Sequence, residues 1–262
     1  MIPKRFILEW TKFVPWQEPR QIEQDLIITK ALLKIYAQPQ LQQNLAFRGG
    51  TALNKLYFNP PSRYSEDIDL VQTNSEPIGK TIDGLRETMD PWLGEPKRSF
   101  SESGVTLTYR TTSEDGFPIR LKLEINSREH FSIMGLSHHS FECLSSWEQG
   151  RVDITTFPIE ELLGTKMRAL YQRRKGRDLY DLYIALNTLK TLDTSKILHC
   201  FREYMKFGGH NISKKLFVDN MEAKMQHTGF CGDMSPLLPT GMKMFDPQEA
   251  YAYVLEALIQ HV

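Results

Sequence analysis

The chain of 262 residues sets 32 Lys and Arg against 32 Asp and Glu, with 40% hydrophobic and 24% charged residues. That length holds one large domain or two modest ones with a real core, and the composition excludes a disordered or collagen-like chain. Zero net charge excludes a generally polybasic surface for gripping nucleic acid, but a whole-chain sum is blind to a local basic groove.

From Met1 to Trp16, Lys4, Arg5 and Lys12 are scattered among short apolar pieces and two prolines, so no secretory signal is expected. Residues 20–37 repeat Ile22, Leu26, Ile27, Ala31, Leu32 and Leu33 near helical spacing, which predicts a helix ending before Pro39. The apolar run Leu45-Ala46-Phe47 reads as a strand, followed by a glycine turn at Arg48-Gly49-Gly50-Thr51. A helix then starts at Ala52 and is stopped by Pro60-Pro61. Asp67-Ile68-Asp69-Leu70-Val71 alternates like a half-buried strand. Residues 104–112 alternate again, and in 119–126 Ile119, Leu121, Leu123 and Ile125 share one face, opposite Arg120, Lys122, Glu124 and Asn126. The Asp115-Gly116 turn signal between these segments predicts an antiparallel hairpin.

After about residue 155 the pattern turns helical. Helices are expected from Pro158 through Leu170, through Leu179 to Leu186, and near 195–207 and 213–226, with a loop around 228–245. The last helix has Asp246 as N-cap, Pro247 in its first turn and Glu249 to complete a capping box. The expected organisation is therefore an α/β region over 1–155 and a helical region over 156–262. No apolar stretch approaches a membrane span. Cys143, Cys200 and Cys231 form no CxxC pair and read as free thiols, so a cytoplasmic location is expected.

Four pieces carry chemistry. Gly49-Gly50-Thr51 between strand and helix lets backbone N–H groups approach a phosphate, with Lys55 one turn later; alone it is a common turn. Asp67 and Asp69 emerge on one strand face roughly 6–7 Å apart, a spacing suited to holding Mg²⁺. They lie about seventeen residues beyond the glycines, and Arg63 and Ser65 between are potential phosphate donors. Glu124 offers a third carboxylate for a two-metal site, set against the bland reading that Arg120, Lys122 and Glu124 are the wet side of an edge hairpin. Finally, Lys166, Arg168, Arg173, Arg174, Lys175 and Arg177 occur with no intervening acid, a bias that suits a triphosphate or an RNA backbone. Asp178 and Asp181 follow at i, i+3, and an Arg177–Asp181 ion pair is the ordinary alternative.

The segments AFRGGTALNKLY, RYSEDIDL, KLEIN and KMRALYQRRKGRDLYDL, with QDLIITKALLKIY before them and FDPQEAYAYVLEAL at the end, resemble the AbiEii/AbiGii toxin family. These are nucleotidyltransferases of the polymerase-β-like superfamily. The resemblance implies an α+β fold: a polymerase-β-like domain with a mixed or antiparallel sheet, then an all-helical domain completing the active-site cleft. It implies transfer of a nucleoside monophosphate from an NTP to an acceptor, with Mg²⁺ or Mn²⁺, by the toxic half of a toxin–antitoxin or abortive-infection system. RNA is the expected acceptor, above all the 3′ end of tRNA, and a winged-helix antitoxin the expected partner. A protein or small-molecule acceptor, or a catalytically silent binding module, is the alternative. By motif, Gly49, Gly50 and Thr51 would cradle phosphates and Asp67, Asp69 and Glu124 would bind metal. Lys166 would contact the triphosphate, and the final acid falls on Asp178 or Asp181 without a choice between them.

Overall fold

The computed structural model describes residues 2–239, 241 and 245–262. They form two compact units, 1–157 and 158–262.

The first unit begins with α1 (Lys4–Trp10), α2 (Pro19–Tyr36) and α3 (Pro39–Asn44). Then come β1 (Leu45–Arg48), α4 (Gly49–Ala52), which widens into a π-type turn at Leu53–Tyr57, and β2 (Asp67–Gln72). After α5 (Gly79–Leu93) follow β3 (Lys97–Ser101), β4 (Gly104–Thr112), β5 (Pro118–Asn126), β6 (Ser137–Leu144) and β7 (Gln149–Thr156). The seven strands make one sheet in the order β3-β4-β5-β2-β1-β7-β6. It is mixed: β2–β5 and β1–β7 run parallel, the other pairs antiparallel.

Helix α2 is apolar nearly all round, and Leu26, Ile28, Ala31, Leu32 and Ile35 are fully buried as it packs on β5, β6 and β7. The β4–β5 hairpin forms as its alternation predicts. Val105, Leu107 and Tyr109 are buried beside Ile125, Leu123 and Leu121, and Gly116 adopts φ +83° in the turn. The hairpin is not at an edge, however: β5 lies between β4 and β2. Its polar face is therefore flanked by strands on both sides.

Six described elements of the first unit lie where the sequence pattern is silent: α1, α3, α5, β3, β6 and β7. β3 is exposed at every residue, so no alternation marks it. In α5, Ile82, Leu85, Met89 and Leu93 are buried at helical spacing, but Gly79, Gly84 and Pro91 mask the pattern.

All described elements of the second unit are helices: α6 (Ile159–Gln172), α7 (Gly176–Thr188), α8 (Thr194–Phe207), α9 (Lys214–Met225), α10 (Thr228–Cys231) and α11 (Pro247–Ala257), with a 3₁₀ turn at Ile259–His261. Their core includes Leu163, Met167, Leu182, Phe201, Phe217 and Val254. α6 and α8 cross closely at Gly164, where a Cβ would stand 2.7 Å from Cβ of Cys200. Asp193 and Ser213 cap α8 and α9, and Asp246 caps α11 by accepting from Gln248 N–H at 2.8 Å. The Glu249 carboxylate departs from the expected capping box and accepts the Tyr183 hydroxyl at 2.8 Å. Part of the expected 228–245 loop, residues 240 and 242–244, lies outside the described residues.

Candidate active site

Both glycines of the turn are required by what lies against them. Gly49 has φ +83°, a conformation L residues avoid, and a Cβ there would stand 1.9 Å from Asp69 Oδ2. A Cβ on Gly50 would stand 2.2 Å from an Arg63 guanidinium nitrogen. The strand register explains the first approach, because Arg48, the last residue of β1, pairs with Asp69 of β2. The backbone of the glycine turn and a carboxylate are thus packed in contact, which a plain turn does not need.

The polar residues around this turn are buttresses. Thr51 is buried and donates its hydroxyl to the Asp67 carbonyl, while the Ser65 hydroxyl lies 2.7 Å from Thr51 Oγ1. With the Thr51 proton committed, Ser65 is the donor of that pair. Asn54 donates to the Gly50 carbonyl at 2.9 Å and accepts from the backbone N–H groups of Ser62 and Arg63 at 2.9 and 3.2 Å. Arg63, 2% exposed, donates to the Tyr64 carbonyl at 3.0 Å. Lys55 binds Asp25 at 2.6 Å and Thr29 at 2.9 Å, and Asp25 also accepts the indole N–H groups of Trp10 and Trp16. Arg63 and Lys55, both expected near a phosphate, thus hold partners inside the protein. One sits beneath the glycines, and the other pins α2. Of the turn itself, Gly49 is partly exposed, while Gly50 and Thr51 are buried.

Asp67 and Asp69 share one face of β2, while Ile68 and Leu70 are buried on the other. In the parallel pairing with β5, Asp69 lies beside Glu124 and Asp67 beside Lys122. The Lys122 ammonium stands 3.8 Å from Asp67 Oδ2 and 3.6 Å from Glu124 Oε1. Asp67 and Glu124 keep 38% and 45% of their side-chain surface exposed. A cleft of about 120 Å³ opens beside Asp69 and Glu124, lined also by Arg48, Thr106 and Asn126 among others. Arg48, which the sequence reading does not single out, pairs with Glu129 at 2.7 Å. Among the described residues no three His, Cys, Asp or Glu side chains converge into a metal-binding group. The donor chemistry nonetheless fits a hard divalent cation, since all three acids offer carboxylate oxygens and a cationic ammonium already sits near two of them.

The second charged cluster is of another kind. Lys166, 6% exposed, contacts Asp178 at 3.2 Å and Asp181 at 2.9 Å, and both aspartates are fully buried. Arg173 adds a two-pronged contact to Asp178 at 2.6 and 2.8 Å. Burial opposes ionisation of Asp178, but Lys166 and Arg173 outweigh it and hold the carboxyl below the usual carboxylate range. Arg177 pairs with Asp233, at 3.1 and 3.3 Å, and not with Asp181. Arg174 meets His227 at 2.8 Å, and Arg168 lies over the Tyr204 ring. The expected open basic stripe over 166–177 is thus largely spent inside its own unit. Nearby, Lys224 donates to the Leu170 and Tyr171 carbonyls at the end of α6, and burial lowers its pKa to about 8.

Residues 30–257 match the family described as "Nucleotidyl transferase AbiEii toxin, Type IV TA system". No curated protein matches the chain. Among solved structures, MenT4, a nucleotidyltransferase toxin from Mycobacterium tuberculosis, superposes with a TM-score of 0.65 at 16% identity, over 98% of this chain and 88% of its own. A putative nucleotidyltransferase from H. pylori gives 0.58 at 15% identity, over 93% and 95%. JHP933 from Helicobacter pylori gives 0.57 at 15%, over 94% and 92%. At such identities the likeness shows a shared fold.

Proposed function

The chain belongs to the AbiEii nucleotidyl transferase toxin family of type IV toxin–antitoxin systems, and from that premise we propose that it transfers a nucleoside monophosphate from an NTP to the 3′ end of an RNA, a tRNA above all. The observation that supports this most is the contact of Gly49 with Asp69. It sets a phosphate-cradling backbone directly against the carboxylates that would hold the metal.

In this reading the N–H groups of Gly49, Gly50 and Thr51 bind the triphosphate, and Thr51, Asn54 and Arg63 hold that backbone in place. Asp67 and Asp69, with Glu124 beside them, would hold Mg²⁺ or Mn²⁺, which when bound neutralises phosphate charge and activates the attacking hydroxyl. The acceptor oxygen bonds to the α-phosphorus, the α–β anhydride bond breaks, and pyrophosphate leaves. Lys166, Asp178 and Asp181 act as a buried ionic core that shapes the helical unit. The family implies a cognate antitoxin, for which we propose a winged-helix protein, and NTP and tRNA as substrates put the reaction in the cytoplasm. A protein or small-molecule acceptor is the second reading, favoured by the internal pairing of the 166–177 basic run.

The test is incubation with each α-labelled NTP and, separately, total RNA, protein and small metabolites. Label should enter tRNA-sized RNA, and Asp69→Ala should lower transfer by about 10³-fold and abolish growth arrest on expression. Label in protein alone overturns the RNA acceptor. Equal toxicity of wild type and Asp69→Ala removes this site as the cause.

A further inference from the structure

The polar face of the β3–β4–β5 sheet is absorbed by nothing described so far. Strand pairing puts Arg110 directly beside Arg120, Thr108 beside Lys122 and Lys97, and Thr106 beside Glu124 and Ser99. Like charges in direct cross-strand register repel, so the Arg110–Arg120 pair costs stability unless an anion meets it. Both arginines and Lys97 are exposed, and among the described residues none of their side chains has an ion-pair or hydrogen-bond partner. Apart from the site acids, the acidic residues beside this face lie at its ends: Glu95 just before β3, 3.7 Å from Arg86, Glu102 at one turn, and Glu114 and Asp115 at the other.

We propose that this face is the docking track for the acceptor, a single-stranded RNA end whose phosphates meet Arg110, Arg120 and Lys97. The inference rests on the nucleotidyltransferase reading above and assigns the surface that presents its acceptor. Continuity supports it: Arg120 lies two residues before Lys122, the register partner of Asp67, so the arginine pair is roughly 7 Å along the strand from the carboxylates. A strand held there delivers its terminal hydroxyl toward Asp67 and Asp69. The chemistry selects RNA over a protein partner. The face presents guanidinium and ammonium groups with the hydroxyls of Ser99, Thr106 and Thr108, which suit phosphates and ribose. It has no aromatic or aliphatic anchor, because the apolar residues of β4 and β5 point to the opposite, buried face, and protein interfaces depend on such anchors.

Fluorescence anisotropy with a labelled single-stranded RNA oligonucleotide tests the track on the full chain. The double variant Arg110→Glu/Arg120→Glu should weaken RNA binding at least about 10-fold and flatten its salt dependence, while Mg–NTP affinity by calorimetry stays at the wild-type value. Lys97→Glu, on the exposed edge strand, should weaken RNA binding in the same direction and serves if the double variant misfolds. Wild-type RNA affinity in these variants overturns the track and leaves the nucleotidyltransferase reading standing. A wild-type protein that binds NTP but no RNA overturns the RNA acceptor and the track together. Loss of antitoxin binding with RNA binding intact assigns the face to a protein and overturns the proposal.

Discussion

Two sets of carboxylates, each with a lysine, occur in this chain, and burial separates them. Asp67 and Glu124 are half-exposed, and Lys122 stands at 3.6–3.8 Å, too far for a tight pair. Asp178 and Asp181 are fully buried and closed by Lys166 at 3.2 and 2.9 Å, with Arg173 adding to Asp178. Asp67 and Glu124 thus keep carboxylate surface open to solvent, whereas Asp178 and Asp181 are enclosed by their partners. Residue type and spacing alone do not distinguish a site from a structural ion cluster; the number of internal partners does.

The sharpest test of that contrast is to remove each lysine. Lys166→Met leaves two buried carboxylates without their main counter-charge and should cost about 3–5 kcal/mol in urea unfolding. Lys122→Met should change stability by less than about 1 kcal/mol. Equal losses would erase the distinction. A smaller effect is expected at the glycine turn. Gly49→Ala forces a strained φ and pushes the Asp69 carboxylate aside, so labelled-nucleotide transfer should fall by about 10²-fold. Unchanged transfer would separate the turn from the carboxylates. The smallest effect is on pH dependence in the helical unit. Burial lowers the Lys224 pKa from its ordinary 10.5 to about 8, so the unfolded chain binds more protons than the folded one between these values. Stability should therefore rise as pH increases from 8 to 10.5, and Lys224→Met should flatten that slope in thermal melts. A flat wild-type profile would show that the buried ammonium is not penalised.

Much of the frame is legible in the amino-acid order. The alternation of 104–112 and 119–126 yields the hairpin, and the glycine turn and Asp67-x-Asp69 stand out because their local geometry depends on neighbours in sequence. Edge strands such as β3 escape notice, since exposed residues carry no hydrophobic period. Of the residues expected to touch phosphate, Arg63 and Lys55 turn out to be bound to Tyr64 and Asp25. Their partners lie in a loop and in a helix thirty residues earlier, so no local pattern could signal it for Lys55. The run from Lys166 to Arg177 misleads for a related reason: Asp178 and Asp181 follow it directly, but only helix packing encloses Lys166 with them, and Asp233 comes from a distant segment.

The sequence by itself determined which residues alternate, where the chain must turn on glycine, and which acids share a strand face, because these follow from bond geometry over a few residues. Only the tertiary structure decided which charges remain open. Pairing β2 with β5 leaves Asp67 and Glu124 partly exposed on either side of Lys122, and pairing β4 with β5 sets Arg110 against Arg120. Helix packing, in contrast, encloses Lys166 with its aspartates. Availability for a ligand is a matter of solvent access and partner distance, and both exist only once distant segments meet.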